Sequence, residues 1–199
     1  MTPPSAVPDE AAGLLDFWFG TPGSPVHGTN RPEWFRKDEA FDALIRERFG
    51  DLLERGLRGE LSGWAATPPG ALAHVVLLDQ FPRNAFRGTP RAFAGDARAL
   101  AAAQAMVAAG QDEALPPVQR GFVYLPFEHA ESLPMQDEAV RRFRALAAQA
   151  PEMAESLDYA ERHRTIIERF GRFPHRNAIL GRASTAEELE FLQQPGSGF

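Results

Sequence analysis

Asp38 to Gly59 reads DEAFDALIRERFGDLLERGLRG. Its apolar residues Phe41, Leu44, Ile45, Phe49, Leu52, Leu53 and Leu57 recur in steps of three and four. On a helix those positions share one stripe, so the stretch is predicted as an amphipathic helix of about five turns. Gly50 weakens it slightly, and Gly59 lies just past its end. The same reading extends in both directions. Upstream, Asp9 is placed to cap a short helix through Leu14, Leu15, Trp18 and Phe19, with Gly20 ending it. Between them, Thr21 to Pro32 is loop-like, with Gly23, Pro25, Gly28 and Pro32.

Downstream, prolines punctuate the helices. Pro68 and Pro69 suit the first turn of a helix through Leu72, Val75, Val76 and Leu78 that is expected to stop near Pro82. Pro90 opens an Ala-rich helix ending at Gly110. Pro116 and Pro117 open one through Phe122, Val123 and Tyr124 that stops by Pro126. Pro134 and Pro151 begin two more, and Thr185 with Glu188 forms a capping box for the last. No alternating strand pattern competes. The expected fold is all-α, about eight helices in antiparallel pairs, as a helical bundle or stack. The chain reads as one domain, 1–199, with residues 1–8 and 194–199 frayed.

The formal charge is −6, which argues against a broad basic surface for nucleic acid or anionic membranes. No run approaches the roughly 18 apolar residues of a spanning helix, and no targeting signal is visible, so a cytoplasmic protein is expected. With no Cys, disulfides, thiolate metal sites and a Cys nucleophile are excluded. Of the 21 basic residues only Lys37 is Lys. The accompanying Ala, Gly and Pro point to a GC-rich genome, so only the placement of individual arginines carries information.

Three patches carry candidate chemistry. Asp79 lies on the apolar stripe of its helix, where a carboxylate needs a partner. It either pairs with an Arg to hold the fold or orients an Arg or His in a site. His163 lies on the inward stripe of another helix, ahead of Arg169-Phe170-Gly171-Arg172-Phe173-Pro174-His175-Arg176-Asn177, a run of arginines around a helix stop. Desolvated Arg forks suit carboxylate or phosphate. Tyr124 to Ser132 brings Glu128, His129 and Glu131 close together, and a Glu beside a His serves acid–base work or holds the imidazole tautomer. Gln80-Phe81-Pro82-Arg83-Asn84-Ala85 also echoes Arg172 to Ala178, as two helix-ending corners.

These residues resemble a known family. Leu15-Asp16-Phe17-Trp18-Phe19-Gly20, Trp34-Phe35, Leu77 to Asn84, Phe86-Arg87-Gly88, Tyr124-Leu125-Pro126 with His129 and Glu131, and Arg169 to Asn177 look like the bacterial domain of unknown function 924 family, over about Leu14 to Leu192. Ala130 departs from the usual His-Ser-Glu pattern, which puts a hydroxyl role there in doubt. The resemblance implies an all-helical fold similar to tetratricopeptide-like helix stacks, and no established activity.

The first functional reading is a pocket for a small anionic ligand, such as an acid–base enzyme would have. Arg83, Arg172 and Arg176 would clamp the anion, with Asp79 orienting one of them. His129, Glu128, Glu131 and His175 are the acid–base candidates. Asn84 and Asn177 would bond the ligand, with Tyr124, His163 and Arg169 contributing, and Trp18 and Trp34 would wall the pocket. The alternatives are a peptide- or protein-interaction module without catalysis, and a metal-dependent hydrolase. The last requires Glu128, His129, Glu131, His163 and His175 to converge from separate elements. The chain has no Glu-x-x-His pair, HExxH motif or His pair at i,i+4, so no metal or cofactor is assigned. A partner protein, or a homodimer through the Trp-bearing N-terminal elements, is the other expected contact.

Overall fold

The computed structural model describes residues 6–198; the expected fraying of 1–5 and 199 lies outside them. The described residues hold eight α-helices and no strand, so the protein is all-α. The helices are α1 Asp9–Phe19, α2 Glu39–Arg58, α3 Pro68–Ala85, α4 Asp96–Ala108, α5 Pro117–Glu128, α6 Leu133–Gln149, α7 Ala154–Phe170 and α8 Ala186–Phe191, joined by short 3-10 turns. They divide into two compact units, one of Met1–Arg87 with Arg91–Pro126, the other of Gly88–Pro90 with Phe127–Phe199.

In the N-terminal unit α2 forms where its pattern places it. The Asp38 carboxylate accepts from the Ala40 and Phe41 N–H groups and caps the helix. Gly59 ends it at φ +83°, which an L side chain rarely adopts. Leu44 is exposed, whereas Asp42 is buried in its place on the inner side. The expected cap of α1 differs: Asp9 is its first helical residue, after Pro8, and no side chain caps it.

Helix α3 is buried along most of its length and does not stop at Pro82. Proline removes the N–H that would bond the carbonyl four residues back, at Leu78. Gly95 packs against that oxygen so closely that a Cβ there would stand 2.0 Å from it. The freed carbonyl is therefore covered by backbone, and α3 runs one turn further to Ala85. Helix α5 likewise passes Pro126 to reach Glu128. The two Phe-Pro-containing segments consequently differ: Pro82 is inside a helix, and Pro174 opens a 3-10 turn.

Trp18 and Trp34 are core residues of this unit. Their rings stack at 5.9 Å, and Phe122 meets Trp34 edge-on at 4.8 Å. Phe19, Phe41 and Phe81 pack onto the same cluster. In the C-terminal unit α6 packs against α7, and Ile166, Ile167 and Phe173 form an apolar cluster flanked by Phe170 and Phe191. The capping box of α8 is present, with Thr185 and Glu188 bonding each other's backbone N–H groups. Ser197 near the tail is buried and donates to Leu192 O, so this part of the tail is folded back rather than frayed. No helix among the described residues is long and apolar enough to cross a membrane.

Candidate functional site

Each candidate of the N-terminal unit sits in a bonded network. Asp79, 1% exposed, accepts from Gln80 Nε2 at 2.6 Å, and Arg83 Nη1 stands 3.4 Å from its Oδ1. Both arms of the Arg83 fork reach Asp96, at 2.8 and 3.2 Å. Asn84 Nδ2 donates to Asp42 Oδ1 at 2.8 Å, and Arg87 grips the same carboxylate with two bonds. Burial opposes the charge on Asp42, but Arg87 and Asn84 overcome it and hold the group below its ordinary range. Tyr124 donates to Asp112 Oδ2 at 2.6 Å; burial, with Asp112 beside it, pushes the phenol up. These bonds tie α3 to α2 and α4, and α5 to the turn before it.

The candidates of the C-terminal unit gather around Phe173, which is fully buried. Glu128 ends α5, and His129 follows it in the turn before α6. Gln136, also fully buried, fixes that turn by donating to Glu128 O at 2.6 Å and Ala130 O at 2.7 Å. His163 comes from α7; His175 and Arg176 come from the 3-10 turn Pro174–Arg176. The His163 ring meets Phe173 edge-on at 5.5 Å and lies 6.3 Å from His129. His175 lies 5.6 Å from the Phe173 ring, and the Arg176 guanidinium stands 4.5 Å over it.

Sequence spacing pairs Glu128 with its neighbour His129. The structure pairs it with His163, whose Nδ1 stands 3.0 Å from Glu128 Oε1 and 2.9 Å from Tyr159 O. A carbonyl oxygen only accepts, so Nδ1 carries the hydrogen and Nε2 the lone pair. Burial pushes His163 down to about 3, helped by His129, Arg176 and His175 and opposed by the Tyr159 bond. His175 is lowered to about 4, by burial first and Arg176 second. Both imidazoles are neutral at pH 7.

Glu131 and the remaining arginines do a different job. Glu131 accepts the Phe173 N–H at 2.8 Å and both arms of Arg182, at 2.6 and 2.9 Å. Arg182 also donates to Asn177 Oδ1, whose amide nitrogen reaches Glu188 Oε2 at 3.2 Å. Arg172 closes the chain with two bonds to Glu188, at 2.7 and 2.8 Å. Arg172 is the main reason Glu188 is held down to about 2, with the Thr185 N–H and Asn177 adding to it against burial. Arg169 pairs with exposed Glu187. Of the three arginines expected to clamp an anion, Arg83 grips the Asp96 carboxylate and Arg172 that of Glu188, while Arg176 lies over the Phe173 ring. Arg182, Asp42, Asp96, Asp112 and Gln136 escape a reading of the sequence, since nothing local marks them. Glu188 is visible there only as a capping residue.

Among the described residues no group of three or more His, Asp and Glu side chains is arranged to hold a metal ion. The convergence a metal-dependent hydrolase requires is thus not found there. Two surface clefts, of about 390 Å³ between α6 and α7 and about 560 Å³ between α1 and α2, are lined by none of the candidate site residues.

The family described as "Bacterial protein of unknown function (DUF924)" matches residues 14–196. The chain belongs to this family. A solved structure of a protein of unknown function from Agrobacterium tumefaciens is 42% identical, with a TM-score of 0.81, covering 92% of this chain and 97% of that one. No curated protein matches. The DUF924 match extends over both units and so includes the Glu128–His163 pair and the Phe173 turn.

Proposed function

We propose that the C-terminal unit of this DUF924 protein carries a histidine-centred acid–base site for a small anionic ligand, a carboxylate or phosphate. The observation that carries it is the Nδ1 of His163 between Glu128 and the Tyr159 carbonyl. A carboxylate behind an imidazole fixes its tautomer and stabilises the imidazolium once Nε2 has taken a proton. His163 is the proton acceptor and Glu128 the positioning residue. Partly exposed His129 and His175 carry protons between it and water. Arg176 supplies the permanent positive charge. Glu131 acts through Arg182 and the Phe173 backbone, holding the turn that bears His175. The protein is read as cytoplasmic, with no nucleic acid or membrane among its partners.

Nitrogen NMR of the full chain tests the tautomer. His163 Nε2 should show the shift of an unprotonated nitrogen at pH 7 and keep it well below pH 6. A lone pair on Nδ1 instead, or titration at the ordinary imidazole value, sinks the site. A thermal-shift panel of phosphates and mono- and dicarboxylates then tests the ligand. A ligand at 100 times its Kd adds about 2.7 kcal/mol, and Arg176→Gln should remove that shift.

One observation favours a second reading, a peptide-binding helix-pair stack of the tetratricopeptide kind. Helices α6 and α7 pair closely, and the open cleft between them displays Arg141, Arg144 and Arg164 beside Asp137 and Glu161. A pull-down that recovers one partner and loses it with Arg144→Glu would favour this reading over the acid–base site.

A further inference from the structure

The cleft between α1 and α2 has its own chemistry, independent of the histidine site. Its volume of about 560 Å³ falls in the range of small-molecule sites. The cleft opens to solvent, and the exposed ion pair of Arg55 with Glu10, at 2.6 Å, borders one end. Toward the other end Arg48 lies over two rings, 4.9 Å from the centre of Phe17 and 5.2 Å from that of Phe49. Glu10 and Phe17 are seven residues apart on α1, a span of about 10 Å.

Two features mark this cleft out. Arg48 and Asp51 are spaced i,i+3 on one helix face, close enough to pair. The rings hold Arg48 instead, and among the described residues neither side chain has a hydrogen-bond or ion-pair partner. A positive and a negative group therefore line one cleft without neutralising each other. The second feature is Gly13. Glycine weakens a helix interior, yet a Cβ at Gly13 would meet nothing within 4 Å, and its φ is not in the left-handed region. Neither packing nor backbone asks for glycine there. Its missing side chain keeps the cleft open above Leu52 and Phe49, which supply apolar surface.

We infer that the cleft between α1 and α2 binds a free α-amino acid with an apolar side chain. Its carboxylate meets Arg48, its ammonium meets Asp51, and its side chain lies over Gly13 toward Leu52. The lining charges Glu10, Asp51, Arg48 and Arg55 cancel, which suits a zwitterion rather than a net ion.

Calorimetric titration of the full chain with L-leucine tests this. One-to-one binding is expected, weakened about tenfold or more by Arg48→Gln and by Asp51→Asn, since each removes a charged hydrogen bond. Gly13→Leu should abolish binding by filling the space, and His163→Gln should leave it unchanged. 4-Methylpentanoate, without the ammonium, and 3-methylbutylamine, without the carboxylate, should each bind more weakly than leucine. Arg48 and Asp51 are exposed, so their variants keep the test valid if Gly13→Leu fails to fold. No binding at tens of millimolar leucine, or equal affinity in Arg48→Gln and Asp51→Asn, overturns the proposal.

Discussion

The two compact units share buried ion pairs but differ in the balance of rings and charge: Asp42 and Asp79 are paired with arginines in the N-terminal unit too. The N-terminal unit packs rings: Trp18, Trp34, Phe19, Phe41, Phe81 and Phe122 contact one another in a continuous buried cluster. The C-terminal unit has a smaller apolar cluster, of Ile166, Ile167 and Phe173 with two flanking rings. It adds the charged chain Glu131–Arg182–Asn177–Glu188–Arg172. Burial of rings is nondirectional and insensitive to pH. A charged chain depends on every member and on its protonation. The proposed acid–base site lies in the unit with the longer charged chain, and the site and that chain share Phe173: its ring faces His163 and its backbone N–H binds Glu131.

Substitutions should separate these two modes. The largest effect is expected at the ring cluster: Trp18→Ala should cost about 3–5 kcal/mol in a urea melt followed by circular dichroism. A loss under about 1 kcal/mol would mean that the cluster collapses around the gap without harm. Next comes the charged chain. Glu188→Ala leaves Arg172 and Asn177 facing an apolar methyl and removes the carboxylate half of the α8 capping box, and should cost about 3 kcal/mol. Hydrogen exchange should place that loss in α7 and α8. A loss spread evenly over both units would contradict the division.

Acid should then act on the C-terminal unit first. His163 and His175 have folded values of about 3 and 4 against an ordinary 6.5. Lowered values mean that the unfolded chain binds more protons in that window. Their contribution is complete above about 6.5 and is lost as pH falls toward 3–4. Glu188, lowered from 4.5 to about 2, contributes fully above about 4.5 and loses that contribution as pH falls toward 2, in the same direction. The N-terminal unit holds half-buried His74, lowered by burial and Arg98, and the Asp42 carboxylate held low by Arg87 and Asn84 against burial. All three tryptophans lie in the N-terminal unit, so their fluorescence follows it alone. Between pH 6.5 and 4, amide protection in α7 should fall before tryptophan fluorescence changes, and His163→Gln should narrow the gap. Coincident transitions would show that one cooperative unit unfolds. The smallest effect is expected at Arg169→Ala, whose exposed pair with Glu187 should contribute under about 0.5 kcal/mol; a larger loss would extend the charged chain to the surface.

Much of the fold was legible. The α2 stripe, the glycine stop at Gly59, the turn-opening Pro68, Pro117, Pro134 and Pro151, and the Thr185–Glu188 capping box all act within about one or two helical turns. A linear reading captures such signals. It failed at Pro82 and Pro126, because whether a proline ends a helix depends on what covers the freed carbonyl. At Leu78 the cover is Gly95, seventeen residues away. The site was less legible. The sequence marked Glu128, His129, His163 and His175, but pairing by adjacency chose His129 for Glu128. Helix geometry carries the carboxylate to His163, thirty-five residues on.

The sequence by itself determined the class of structure, the helix starts and most stops, and which polar residues lie on apolar stripes. Those properties rest on periodicity and caps, whose physics is local. Only the tertiary structure decided which carboxylate each arginine grips, which histidine Glu128 holds, and that Trp18 and Trp34 are core. Ion pairs and ring contacts form between residues far apart in the chain, and many partners of the right charge compete for each one. Which partner wins is set by where the helices bring the side chains, and no local signal encodes it.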